Sequence, residues 1–159
     1  MIRPLGAHDR EPVLELLRST NNFSPAEIDV ADELIGIVVE KRDQQDYHAF
    51  VAEEDVRGVT GFLLLGPTPA TVGTWDLYWM AAHPSVYGAG VAQALDAFAK
   101  SFARARGAYL LIAETSGRPS YARARAFYTK QGYEELARIA DYYAPADDLV
   151  VFGSRLLPG

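Results

Sequence analysis

The sequence predicts an α/β fold in which a central sheet of about seven strands is flanked by four helices. Three observations lead there. Short runs of branched and aromatic residues alternate with stretches whose apolar residues recur every three or four positions. Their order is strand, helix, helix, three strands, helix, strand, helix, two strands. A strand–turn–helix–strand passage over residues 74–113 implies a parallel pair with a right-handed crossover. A hairpin signal over residues 47–65 makes the remainder mostly antiparallel, so the sheet is mixed. At 159 residues the chain suits one domain, residues 1–159.

Residues 2–5 read as a short strand. Asp9 stands where it can cap the first helix, and Val13, Leu14, Leu16 and Leu17 supply that helix's apolar face. Ser24, Pro25 and Glu27 form a capping box with proline at the first helical position. Ile28, Ala31, Ile35 and Val38 continue as a stripe toward Arg42, although Gly36 weakens the middle. These two helices either face a substrate or simply pack on the sheet. Residues 47–52 and 59–65 are strands around the polar turn of Glu53, Glu54, Asp55 and Gly58. Pro67 and Pro69 mark a loop, and residues 74–82 form the next strand.

That strand stops at His83-Pro84. Gly88 and Gly90 follow, and then Val91, Leu95, Phe98 and Phe102 recur at helical steps until Gly107. Glycines ahead of a helix N-terminus make an anion site, because the first N–H groups are unpaired and the backbone can approach closely. The same glycines also serve plain strand–helix packing. Residues 109–113 are an unbroken apolar run, expected to be a strand buried on both faces, with residues 114–119 leaving it as a loop. Residues 121–130 are helical, and residues 133–140 and 149–156 are the last strands. Between them, residues 141–148 read as an aromatic and acidic loop.

Composition narrows the chemistry. With no cysteine, disulfides, thiolate catalysis and Cys-based zinc sites are excluded. His8, His48 and His83 are scattered outside any metal-ligand spacing, so no metal is expected. A net charge of −6 argues against a nucleic-acid partner, and no apolar run reaches the length of a membrane span. A cytoplasmic location is expected. Residues 100–138 are nonetheless locally basic, which suits a small polyanionic ligand, or else reflects solvated helix faces.

Two segments carry a family resemblance. Tyr87-Gly88-Ala89-Gly90-Val91-Ala92 resembles the acyl-CoA signature Gln/Arg-x-x-Gly-x-Gly/Ala of the GNAT superfamily of acetyl-CoA-dependent N-acetyltransferases. Ala124-Arg125-Ala126-Phe127-Tyr128 with Gly132-Tyr133 resembles the family's A-x-x-F/L-Y-x-x-x-G-F/Y segment. The resemblance covers essentially the whole chain and implies a splayed parallel pair in the sheet. It departs at Tyr87, where Gln or Arg is usual, and at Tyr121, where Asn is common. It implies acetyl-CoA as co-substrate. Met80, Ala81 and Ala82 would pair with the pantetheine arm and residues 87–92 would cradle the pyrophosphate. Tyr121, Ala124 and Tyr128 would line one helix face toward the cofactor. The thioester would lie in the splay. Members are often homodimers.

Amine acetylation by a thioester needs a neutral amine, N–H donors for the oxyanion, and a proton for the leaving thiolate. The resemblance makes Tyr128 the acid. Glu114 is the first candidate base, its alternative being a loop cap or a partner for Arg118. Asp76 is the second, its alternative being an exposed edge residue. Tyr142 and Tyr143 resemble an aromatic loop over the acceptor. Trp75 and Tyr78 either line the acceptor pocket or, the preferred reading, belong to the core. The expected activity is acetyl transfer to a primary amine in a ternary complex. The acceptor is a small molecule or a peptide N-terminus, and a non-catalytic acyl-CoA-binding domain is the rival outside enzymes.

Overall fold

The computed structural model describes residues 1–156. The elements are β1 (Ile2–Pro4), α1 (Arg10–Ser19), α2 (Pro25–Glu40), β2 (His48–Glu54), β3 (Gly58–Pro67), β4 (Thr74–Ala82), α3 (Val91–Ala105), β5 (Leu110–Ser116), α4 (Ala122–Lys130), β6 (Glu134–Ala144) and β7 (Asp147–Arg155). The strands form one sheet in the order β1-β2-β3-β4-β5-β7-β6. β4 and β5 run parallel, while β1–β2, β2–β3, β5–β7 and β6–β7 are antiparallel. The expected α/β class, strand number, helix number and parallel pair are all present.

The chain divides into two compact units. The first holds Met1–Gly66 and Tyr78–Ala99. Its core gathers Val13, Leu14, Leu16 and Leu17 of α1 and Ile28, Ala31 and Ile35 of α2 against Ala49, Val51, Phe62 and Leu64 of the sheet. Both helices therefore pack on the sheet. The capping box forms as read: Glu27 N–H donates to Ser24 Oγ at 3.1 Å and Ser24 N–H to Glu27 Oε1 at 3.0 Å. Such a cap stabilises by about 1 kcal/mol.

Asp9 departs from expectation. Its carboxylate does not cap α1 but closes back on the preceding 3-10 turn, Ala7–Asp9. It accepts instead from Arg3 at 2.7 and 2.9 Å and from Gly6 N–H at 2.8 Å. The β1–β2 register, with Arg3 opposite Val51, brings Glu53 to the same guanidinium at 2.8 Å. For a buried carboxylate, ion pairing with a guanidinium outcompetes a cap that water could replace.

The second unit holds Pro67–Leu77 and the chain from Lys100 onward. Trp75 is buried and meets Phe102 edge-on at 6.2 Å, so it is core as expected. Three expectations are corrected here. β5 is not buried on both faces: Leu111 and Ala113 are buried, Leu110 and Ile112 are half-buried, and Glu114 is exposed. β5 also continues to Ser116, because β7 pairs with it out to Ser116 opposite Leu149. Most of the expected loop 141–148 is strand, with only Pro145 and Ala146 turning. A register shift between Ile139 and Ala144 lets β6 run on, with Asp141 at φ 56°. Asp141 is held there by its N–H donating to Asp148 Oδ1 at 3.1 Å.

Candidate active site

In the first unit the glycine turn is built as a cradle. A 3-10 turn over Pro84–Val86 anchors it through buried Val86, and His83 Nδ1 accepts from Ser85 N–H at 3.1 Å. Tyr87, Gly88, Ala89 and Gly90 are exposed, while Val91 and Ala92 are half-buried as α3 begins. Gly88 and Gly90 both have φ of 84°, a left-handed conformation that strains any other residue. A Cβ at either would meet no atom within 4 Å, so open space lies above both. The first helical bond runs from Ala94 N–H to Gly90 C=O at 2.9 Å. The N–H groups just ahead of it have no helical acceptor. Backbone donors, a helix dipole and free approach suit a pyrophosphate. Met80 is half-buried and Ala81 and Ala82 are buried at the end of β4. Tyr78 is a correction: it is 36% exposed, its ring lying 5.5 Å from Tyr47, and so it is not core.

In the second unit the parallel ladder sets Thr74 opposite Leu110 through Leu77 opposite Ala113. Asp76 thus stands beside Ile112, and Glu114, two residues on, shares its face. Asp76 is not an edge residue. It is half-buried on an interior strand and accepts from Thr68 Oγ1 at 2.7 Å. Nothing in the local pattern signals Thr68, since the contact spans a loop. Among the described residues, neither carboxylate forms an ion pair. Arg118, the alternative partner for Glu114, approaches Asp147 at 3.5 Å instead. Desolvation raises the Glu114 carboxyl above the usual carboxylate range, and the Asp76 charge adds to the effect.

Tyr128 belongs to the other face. Its ring packs at 5.5 Å on Phe152, which pairs with Ala113, and at 5.1 Å on Tyr133. Tyr121 lies in a 3-10 turn, Pro119–Tyr121, and caps α4 rather than belonging to it. Tyr121, Ala124 and Tyr128 are half-buried. A clamp that sequence reading missed fixes the start of α4. Arg125 Nη1 donates to the carbonyls of Ser116 at 2.7 Å and Arg118 at 2.8 Å, while the Ser116 hydroxyl donates to buried Asp147. Arginine four residues into a helix reads as a solvated face, so only the tertiary fold shows this role. Tyr142 and Tyr143 are exposed on β6, their rings 5.0 Å apart and perpendicular. Through β7, the bulged end of β6 lies at the Ser116 end of β5.

A family model described as an acetyltransferase (GNAT) domain matches residues 45–135, more than half of the chain. A crystal structure of a Desulfovibrio desulfuricans protein placed in the GNAT acetyltransferase family is 35% identical, covers 99% of each chain and superposes with a TM-score of 0.94. Two more distant structures share the fold. An aminoglycoside 6'-N-acetyltransferase complexed with coenzyme A has 13% identity, TM-score 0.78, and covers 100% of this chain and 98% of that one. The Escherichia coli ribosomal-protein-S18-alanine N-acetyltransferase has 19% identity, TM-score 0.77, and covers 100% and 96%. No curated protein matches the sequence. The chain belongs to the GNAT family of acetyltransferases and is an acyltransferase.

Proposed function

We propose that the chain transfers the acetyl group of acetyl-CoA to a primary amine by direct attack in a ternary complex. The observation that carries this reading is Glu114, a carboxylate with raised proton affinity, beside Asp76 and, among the described residues, without a paired cation. An ammonium needs such a group to lose its proton before its lone pair can react. Glu114, or a water it orients, takes that proton. Thr68 Oγ1 donates to Asp76 and fixes its position beside Glu114.

Base and acid stand on opposite faces of the second unit's strands, with Tyr128 over Phe152. That suits a reaction in which the amine arrives from one side and the leaving group departs on the other. The Tyr128 hydroxyl supplies the proton that the leaving sulfur accepts. Acetyl-CoA, when bound, supplies the activated acetyl group. The open, left-handed glycines and the α3 N-terminus fit its pyrophosphate, with Tyr87, Ala89, Val91 and Ala92 completing the cradle. Met80, Ala81 and Ala82 offer backbone groups to the pantetheine amides, and Tyr121 and Ala124 give it a half-buried helix face. Tyr142 and Tyr143 form a lip for the acceptor. Their exposure also supports a peptide N-terminus as the acceptor.

Calorimetric titration with acetyl-CoA tests the reading. Saturable binding that Gly88→Glu removes supports the cradle, because that change places a strained side chain and a negative charge where the phosphates would lie. Absence of binding would remove the enzyme reading and leave the fold.

A further inference from the structure

The carboxylate-bearing face of the second unit also carries an apolar patch, bounded by Arg155 opposite Leu110 and by Glu134 opposite Gly153. The β5–β7 register places Leu110 beside Arg155, Ile112 beside Gly153 and Glu114 beside Val151. Residues paired across a ladder share a face. Leu110, Ile112 and Val151 are half-buried there. On β6, Ile139 lies beside Leu149 and is 49% exposed. Leu136 is 42% exposed and leans over Gly153, where a Cβ would collide with it and would lie 3.3 Å from Leu110 Cδ1. The missing side chain at Gly153 thus lets Leu136 and Leu110 meet as a flat platform. Three strands, β5, β7 and β6, at roughly 4.8 Å spacing make that platform about 10 Å across. A contiguous apolar surface of this kind marks a binding surface rather than an ordinary exterior.

Resting on the amine-acetylation reading, we infer that the acceptor is a small monocationic amine carried on an apolar or aromatic body, with Leu136 and Val151 selecting that body. Two carboxylates answer one ammonium. A polycationic aminosugar brings several ammonium groups and many hydroxyls; over the patch of Leu110, Ile112, Leu136 and Val151 these would be desolvated against apolar side chains, and toward Leu110 they would meet the like charge of Arg155. An alkyl or aryl body instead leaves water as it covers the platform.

The test uses the full-length protein at saturating acetyl-CoA, with thiol release measured for propyl-, butyl-, pentyl- and hexylamine, phenethylamine, kanamycin and an alanine-led peptide. The expected result is a rise in kcat/KM of about two- to fourfold per added methylene, from the transfer free energy of one CH₂. Phenethylamine should exceed kanamycin by about tenfold or more. Leu136→Gln, at an exposed edge position, and the near-isosteric Val151→Thr should flatten the chain-length dependence while acetyl-CoA affinity is retained. A flat dependence, or kanamycin or the peptide as best acceptor, overturns this inference and leaves amine acetylation standing. Transfer to no amine despite acetyl-CoA binding overturns both. A dimer in sedimentation that Leu136→Gln dissociates would assign the platform to a second copy of the chain and also overturn the inference.

Discussion

Glu114 and Asp76 project from the same face of two parallel strands, and among the described residues neither carboxylate meets a cation. Partial desolvation and the neighbouring Asp76 charge both raise the proton affinity of Glu114, as the base proposed here requires. Arg118, the cation that the sequence offers to Glu114, approaches Asp147 instead.

Glu114→Gln should lower turnover by about 10²–10⁴-fold, the contribution of one general base. The parent's kcat/KM should rise with pH through a pKa above the usual glutamate range, because only the carboxylate accepts a proton. The variant should lose that limb. Stability should move the other way. A folded-state pKa raised above the unfolded value means the native protein holds the proton longer. Stability is then lost as pH rises from the unfolded toward the folded pKa. At neutral pH the variant should melt at or above the parent's temperature, and in acid the difference should vanish. Paired pH–rate and pH–melting curves check both halves.

Tyr128→Phe should slow turnover, by up to about 10²–10⁴-fold, with little change in acetyl-CoA affinity. The ring contacts with Phe152, Tyr133 and Phe127 survive the loss of a hydroxyl, so the fold should hold. Unchanged turnover would mean that Tyr128 only packs.

Gly90→Val should weaken acetyl-CoA binding about tenfold or more. Its Cβ would meet no protein atom, but a branched residue strains at φ 84° and fills the approach above the turn. Calorimetry reads the affinity, and a melting curve separates it from the cost of strain.

Asp9→Asn should destabilise the protein by about 3 kcal/mol, the low end for breaking a buried pair, because Glu53 still holds Arg3. Arg3 holds the Asp9 carboxyl below its ordinary range. That stability is therefore present above the unfolded pKa and is lost as pH falls through the folded one. The parent should lose stability steeply in acid, and the variant should not. Denaturant melts at neutral and acid pH measure the difference.

What the sequence made legible was local or periodic. The Ser24–Glu27 box is a four-residue pattern, and it forms as read. β4 runs over residues 74–82 as expected because bulky residues and His83-Pro84 bound it. What escaped depends on partners distant in sequence. β5 reaches Ser116 because β7 pairs with it there, which puts Glu114 inside a strand rather than after it. Tyr142 and Tyr143 are strand residues because a bulge held by Asp148 carries β6 past Asp141. Thr68 on Asp76 and Arg125 on Ser116 are contacts that no spacing rule announces. The glycine turn was legible because its requirement is backbone conformation, which glycine itself announces.

The most direct measurement is thiol release from acetyl-CoA by the purified protein, with and without a primary amine, alongside mass detection of the product. The account predicts release only with the amine, one N-acetylated amine per thiol, and loss of both in Glu114→Gln. Acetyl-CoA binding without amine-dependent release, or release that Glu114→Gln leaves intact, would contradict it.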